Sequence, residues 1–221
     1  MKQSWWKILC VVILFYTIIQ GLIGAIPRQP ILNETLRNVY FHVPLWFGMM
    51  TLMVASAWFA IKYLRGGNIA HDEYSAEFAN TAMLYGVLGF ATGAVWGNYT
   101  WGDPLPKDPK LIAVEVGLLI YAAYFILRSS FEDEQKRGRL SAVYNIIAFA
   151  AFMPLVWILP RLTDSLHPGN GGNPAFGKYD MDNRVRMVFY PAIIGWTLLG
   201  VWITSLRIRL RVIKRLKAEQ F

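Results

Sequence analysis

The chain has 221 residues, of which 55% are hydrophobic and only 16% charged, and its formal net charge is +8. Ordinary globular chains carry roughly 25% charged residues, so a soluble fold is excluded: it could not cover this much apolar surface. The positive charge does not read as a nucleic-acid arm either. The basic residues from Arg207 onward alternate with Ile, Leu and Val (RIRLRVIKRLK), the pattern of a helix end meeting anionic lipid headgroups.

Six segments are each of a length suited to crossing the hydrocarbon, which takes roughly 20 apolar residues. Period-2 alternation is absent, which argues against a lipid-facing barrel. The first predicted helix, 8–27, holds no Asp, Glu, Lys or Arg. It is long for a signal-peptide core and no small-x-small cleavage site precedes Pro27, so it reads as a retained helix. Its Cys10 is the single cysteine. One cysteine forms no internal disulfide, and with no CxxCH the chain does not attach c-type heme covalently. Cys10 is expected to pack as a small apolar residue.

Residues 28–42 form an exposed segment ending in RNVYFH, with Arg28, Arg37 and His42. The second helix is predicted over 43–61, with Pro44 in its first turn, where a missing N–H costs nothing. Residues 62–77 read as a charged connector, with His71 beside Asp72 and Glu73 as a solvated loop residue. The third helix, 78–98, leads into a loop of unusual composition, VWGNYTWGDPLPKDPK. Trp96, Tyr99 and Trp101 are interleaved there with Gly97 and Gly102, and Asp103, Asp108 and Lys110 follow. Aromatic residues are common at both membrane interfaces. Here the glycines would also let a flat partner approach the backbone, and aromatic faces stack on extended π-systems.

The fourth helix is predicted over 111–128. Its one acid, Glu115, is costly in hydrocarbon and so a functional candidate, although it lies only about a turn from the helix boundary. The connector FEDEQKRGR looks solvated. The fifth helix, 140–160, and the sixth, 187–206, contain Pro154 and Pro191, which predict kinks. Between them lies TDSLHPGNGGNPAFGKYDMDN, a Gly/Asn/Pro-rich stretch without periodicity that carries His167 and Lys178; Arg184 and Arg186 follow it.

The alternate connectors divide the basic residues 14 to 8. The richer set holds both termini, which the positive-inside rule places in the cytoplasm. The expectation is therefore an all-α integral membrane protein. It is a single domain over 1–221 with six transmembrane helices, both termini cytoplasmic. The tryptophan-bearing loop between helices 3 and 4 faces the outer side. His42 and His167 share that side. Histidine is the commonest side-chain metal ligand, and neutral imidazole binds heme iron through one ring nitrogen. A lone interfacial histidine, by contrast, is usually just a hydrogen-bonded surface residue. No Walker motif, catalytic triad or nucleophile–base pair is evident, so binding and orientation rather than catalysis are expected.

The run WG…W…DPK…Y resembles the tryptophan-rich "WWD" signature of heme-handling proteins in cytochrome c maturation, a family that includes CcmC and the larger CcmF and CcsA. The segment RNVYFHVPLW resembles the R-x-x-x-x-H-V-P of CcmC-like members, and the resemblance covers nearly the whole chain. The loop departs from the usual W-G-x-x-W-x-W-D, with Tyr99 and Thr100 at its centre. Two acids compete for the last position. Asp103 has the family spacing from Trp96. Asp108 begins DPK and has the right distance to Tyr121, and is favoured with a short insertion. The resemblance implies non-covalent heme b at the periplasmic face of the bacterial inner membrane. It makes His42 and His167 the axial ligands and sets Trp96, Tyr99 and Trp101 along the porphyrin. Arg37, Lys110, Arg184 and Arg186 become propionate partners, with Arg28 and Lys178 as weaker ones. It further implies presentation of heme to a CcmE-like chaperone and association with CcmA/CcmB-like ABC transporter subunits and a CcmD-like small protein. The alternatives are a CcsA-like synthase subunit, which usually carries four histidines where this chain has two facing outward, and a permease or structural subunit unrelated to heme.

Overall fold

The computed structural model describes residues 4–29, 32–167 and 181–218. Among the described residues six α-helices carry the fold: α1 (Trp5–Ile23), α2 (His42–Gly66), α3 (Ile69–Trp101), α4 (Pro109–Ser129), α5 (Glu134–Met153) and α6 (Asn183–Ala218). Each belongs to a helical segment long and apolar enough to cross a membrane, and no strand occurs among the described residues. A 3-10 segment (Asn33–Tyr40) precedes α2. A π turn (Pro154–Ile158) and a 3-10 turn (Leu159–Arg161) follow α5. The irregularity expected at Pro154 thus takes the form of a change in hydrogen-bond ladder, because proline offers no N–H to an i→i−4 bond. α6 runs unbroken through Pro191.

Several helices outrun the apolar stretches that announced them. α3 begins at Ile69 rather than 78 and ends at Trp101, giving 33 residues. At 1.5 Å per residue that is about 50 Å, well beyond a hydrocarbon core of about 30 Å. Charge marks where hydrocarbon ends, not where a helix must. The connector expected over 62–77 shrinks to a tight turn. Gly67 takes φ +65° and closes α2 through its N–H to the Tyr63 carbonyl, and Asn68 caps α3 by accepting from the Ala70 N–H. His71 therefore lies in the first turn of α3, not in a solvated loop. Its ring packs on Phe59 at 6.0 Å between centroids. Its buried Nδ1 has no hydrogen-bond partner among the described residues.

α2 is the central helix, packed along α3 and against α5 and α6, while α1 lies on α6 and α4 on α5. The buried core gathers Met49, Leu52 and Met53 of α2 with Tyr85, Tyr121, Tyr124 and Phe152. Small residues let these helices close up. A Cβ on Gly48 would sit 2.7 Å from the Tyr85 ring, and one on Gly117 2.7 Å from Phe152. Cys10 is buried in the α1–α6 contact, its thiol directed at the Gly195 carbonyl, as a packing residue should be. The outward faces carry Phe15, Leu119, Ile126 and Ile147, exposed as lipid-facing side chains are.

At the end of the bundle that holds both chain termini, buried charge is paired rather than solvated. Arg128 of α4 grips Asp72 of α3 bidentately, at 2.7 and 2.6 Å. Glu77 binds Arg207 at 2.7 Å and Arg211 at 2.6 Å, and Glu73 binds Arg215 at 3.1 Å. Three of the basic residues read from sequence as lipid-facing thus close against α3. Beside them Asn145 donates to Ser56 and Ser75 at 2.7 and 3.0 Å.

Removing one partner of a buried ion pair leaves an uncompensated charge, at a cost of about 3–5 kcal/mol. Arg128→Ala should therefore destabilise the detergent-solubilised protein by that order, whereas Arg128→Met combined with Asp72→Leu should recover most of it. Thermal unfolding followed by circular dichroism reads the difference.

Candidate functional site

The opposite end of the bundle brings together the start of α2, the end of α3, the start of α4, and the turns after α5. Between them lies a cavity of about 390 Å³ lined by His42, Trp46, Gly93, Trp96, Gly97, Trp101, Lys110, Trp157, Arg161 and His167, among others. Pockets of this size, mostly apolar with a few polar groups, are typical of small-molecule and cofactor sites.

His42 opens α2 and is held by α3. Its Nδ1 lies 2.9 Å from the Gly89 carbonyl and 3.2 Å from Thr92 Oγ1. A carbonyl only accepts, so Nδ1 carries the proton and the lone pair of the neutral ring sits on Nε2. The close approach depends on Gly93, where a Cβ would lie 2.7 Å from His42 Cε1. Trp46 and Trp96 flank the imidazole edge-on, at 6.1 and 5.8 Å between centroids. Trp96 is itself fixed by its indole N–H to Thr35 Oγ1 at 3.1 Å.

His167 stands on the irregular segment after α5 and packs edge-on against Trp101 at 5.0 Å. Its Nδ1 lies 3.2 Å from Asp108 Oδ1. Asp108 is the N-cap of α4, accepting from the Lys110 and Leu111 N–H groups, and its carboxylate also accepts from Ser165 Oγ and the Leu166 N–H. A carboxylate partner again puts the proton on Nδ1 and leaves Nε2 free. Neither Nε2 makes a hydrogen bond among the described residues, and both rings line the same cavity. Burial pushes the Asp108 carboxyl up, but the hydrogen bonds from His167, Leu166 and Ser165 outweigh it and hold the group well below the usual carboxylate range.

The structure sorts the other candidates. Trp96 and Trp101 wall the cavity, but they ride on the last turns of α3 instead of a loop, which is confined to 102–108. That helical continuation turns Tyr99 away. At about 100° per residue, positions 93, 96, 97, 100 and 101 share one arc and 99 falls outside it. Tyr99 is largely exposed and borders a separate groove. Asp103 is exposed and only closes a turn with the Leu105 N–H. Asp108, not Asp103, meets a histidine. Arg37 is not in the cavity. It pairs with Glu34 and donates to the Gly21 and Gly24 carbonyls at the end of α1, at 3.1 and 2.8 Å. Those carbonyls lack intrahelical partners, so a cation suits them. Arg184, exposed in the first turn of α6, Arg186 and Glu115 do not line the cavity either. Lys110 does, joined by Arg161. Lys178 and most of the Gly/Asn/Pro-rich stretch lie outside the described residues.

Sequence reasoning missed Trp46, Thr92, Gly93 and Arg161. Two signals were present. Trp46 follows His42 by four, hence shares its helix face. Gly89 and Gly93 form a small-xxx-small pair, the mark of close approach.

A polytopic helical membrane protein with two imidazole nitrogens open to a tryptophan-walled cavity is therefore the class that fold and site define. The chain belongs to the CcmC family, heme exporter protein C, whose family model matches residues 1–221. It is similar to heme exporter protein C of Paracoccus denitrificans, 23% identical over 194 residues, covering 83% of this chain and 76% of that protein. It is also similar to the cytochrome c biogenesis protein CcsA of a Synechococcus strain, 33% identical over 79 residues, and of Spinacia oleracea, 31% over 87 residues. These cover 36% and 39% of this chain but only 26% and 25% of the CcsA proteins.

A carboxyl depressed in the folded state stabilises above its ordinary value, near 3.8, and loses that contribution as pH falls toward the folded value. The contribution of the carboxylate to the stability gap between wild type and Asp108→Asn should shrink as pH falls below about 4. Thermal unfolding of both proteins across that range checks it.

Proposed function

We propose that this protein binds heme b non-covalently between His42 and His167 at the periplasmic face of the bacterial inner membrane, and presents it to a CcmE-like chaperone for cytochrome c maturation. One observation carries the reading: two histidines from separate elements each have Nδ1 engaged and Nε2 open to one cavity walled by Trp96 and Trp101. The family, described as heme exporter protein C, supports the same ligand. Heme supplies an iron that accepts imidazole nitrogen and a porphyrin that packs on aromatic faces. The chain supplies position. His42 is set by the Gly89 carbonyl, His167 by Asp108, and the indole walls keep water from the ring edges. The cations at the cavity, Lys110 and Arg161, suit the two propionates, since carboxylates favour charge-assisted partners. The positive-inside bias supports cytoplasmic termini, which puts the histidine end outside. CcmA/CcmB-like and CcmD-like partners follow from the family likeness, and energy from ATP would come from them.

The partial match to CcsA proteins favours a second reading, a synthase subunit. His71 speaks against it: the third histidine packs at a tilt on Phe59 near the opposite end of the bundle. Co-purification of a heme chaperone with the wild type distinguishes a presenter from a synthase.

Protein purified from heme-replete cells should show a Soret band, lost or shifted in His42→Ala, His167→Ala and Trp101→Ala but preserved in Tyr99→Ala. A colourless wild type sinks the reading. Heme titrated into the stripped protein should also bind at least about tenfold more tightly than its dimethyl ester, each charge-assisted bond being worth about 1.5–3 kcal/mol. Replacing Lys110 and Arg161 with Met should abolish that preference.

A further inference from the structure

The two imidazoles are held in different ways. His42 sits on a helix, and its partners are the Gly89 carbonyl and the Thr92 hydroxyl of the adjoining helix. Moving that ring means separating α2 from α3, the most extensive helix contact in the molecule. His167 sits on no helix. Its segment leaves the 3-10 turn at Arg161 and meets the bundle at a buried carboxylate and at the Trp101 ring. Asp108 accepts from the Ser165 hydroxyl at 3.1 Å, the Leu166 N–H at 2.7 Å and His167 Nδ1 at 3.2 Å. Ser165 Oγ also accepts from the His167 N–H at 3.1 Å, so three consecutive residues are organised around one side chain. That side chain is fixed in turn by capping α4 through Lys110 and Leu111.

We propose that Asp108 is a positioning residue that docks the His167 segment as a unit and polarises its imidazole, giving the site one fixed ligand, His42, and one detachable ligand, His167, whose strength as a donor Asp108 sets. This rests on the heme reading above and adds to it which bond yields on release. The chemistry follows from the partner. A carboxylate on Nδ1–H increases the basicity of Nε2 and favours the higher oxidation state of a bound iron, whereas a backbone carbonyl does so weakly. Three bonds to one carboxylate also couple these residues: loss of the Asp108 contact removes a hydrogen bond from Ser165, Leu166 and His167 at once, while nothing in the hold on His42 changes.

Helix capping by Asp108 would occur without any role toward a ligand, and Asp108→Ser separates the two. Serine caps a helix as well as aspartate does but is too short to gather the His167 segment and carries no charge. In heme-loaded protein, Asp108→Ser should keep the helix content of wild type, raise the reduction potential of the heme, and speed the displacement of histidine by cyanide by on the order of tenfold or more. Ser165→Ala, which leaves α4 untouched, should shift the cyanide rate the same way by less. Placed on His167→Ala, Asp108→Ser should add nothing further, because its effect passes through that ring; placed on His42→Ala, it should retain its effect. Wild-type potential and cyanide rate in Asp108→Ser, or an undiminished effect on the His167→Ala background, overturns the proposal while leaving the heme reading standing. A colourless wild type removes both.

Discussion

A polar group buried away from water must find its partner within the protein. That constraint organises both ends of this bundle. At the end carrying the termini it closes Asp72 on Arg128 and Glu77 on Arg207 and Arg211. At the other it brings Arg37 onto the last carbonyls of α1 and Trp96 onto Thr35. The same rule gives meaning to what is left open. Two imidazoles that line one cavity, each with Nδ1 tied to a fixed acceptor, hold their other ring nitrogen in a set orientation.

Close packing then decides where that ligand sits. α2 reaches α3 through Gly89 and Gly93, which take the edges of Trp46 and His42 respectively. A side chain at either position would push α2 outward and carry His42 off the Gly89 carbonyl. The glycine that admits the imidazole and the carbonyl that orients it lie one turn apart on the same helix face. Placement and tautomer of His42 are thus two consequences of one helix–helix contact.

The sequence showed much of this, and the limits of its reading are physical. Charge-free stretches announced six helices because lipid tolerates little else. They understated α3 and α6, since outside the hydrocarbon a helix continues wherever its polar residues find partners, and those partners lie far away in sequence: Glu77 meets Arg207 and Asp72 meets Arg128. Tyr99 was misplaced for a related reason. Glycines and polar residues at 97–100 resemble a loop, yet the helix runs on to Gly102, whose φ of +77° ends it. Arg37 was read by its motif as an anion partner, but it meets carbonyls that only a folded α1 presents. His42, His167 and the Trp96–Trp101 pair were legible because each lies close to a predicted crossing, so a count of crossings predicts that they share one end of the bundle.

Asp108 shows why local pattern alone left two acids open. Spacing from Trp96 pointed to Asp103, the DPK run and the distance to Tyr121 favoured Asp108, and both acids precede a proline. Only Asp108 is followed by a helix within one residue, so only its carboxylate is pinned by backbone N–H groups. A pinned carboxylate is a rigid acceptor, and a rigid acceptor can organise a segment that has no helix of its own. A site that presents heme, as proposed above, must hold its cargo firmly and also let it go. Two ligands fixed equally on helices would satisfy the first need and obstruct the second. A ligand carried on an irregular segment and oriented by one carboxylate suits both, because disengaging that carboxylate weakens the hold at three neighbouring residues together.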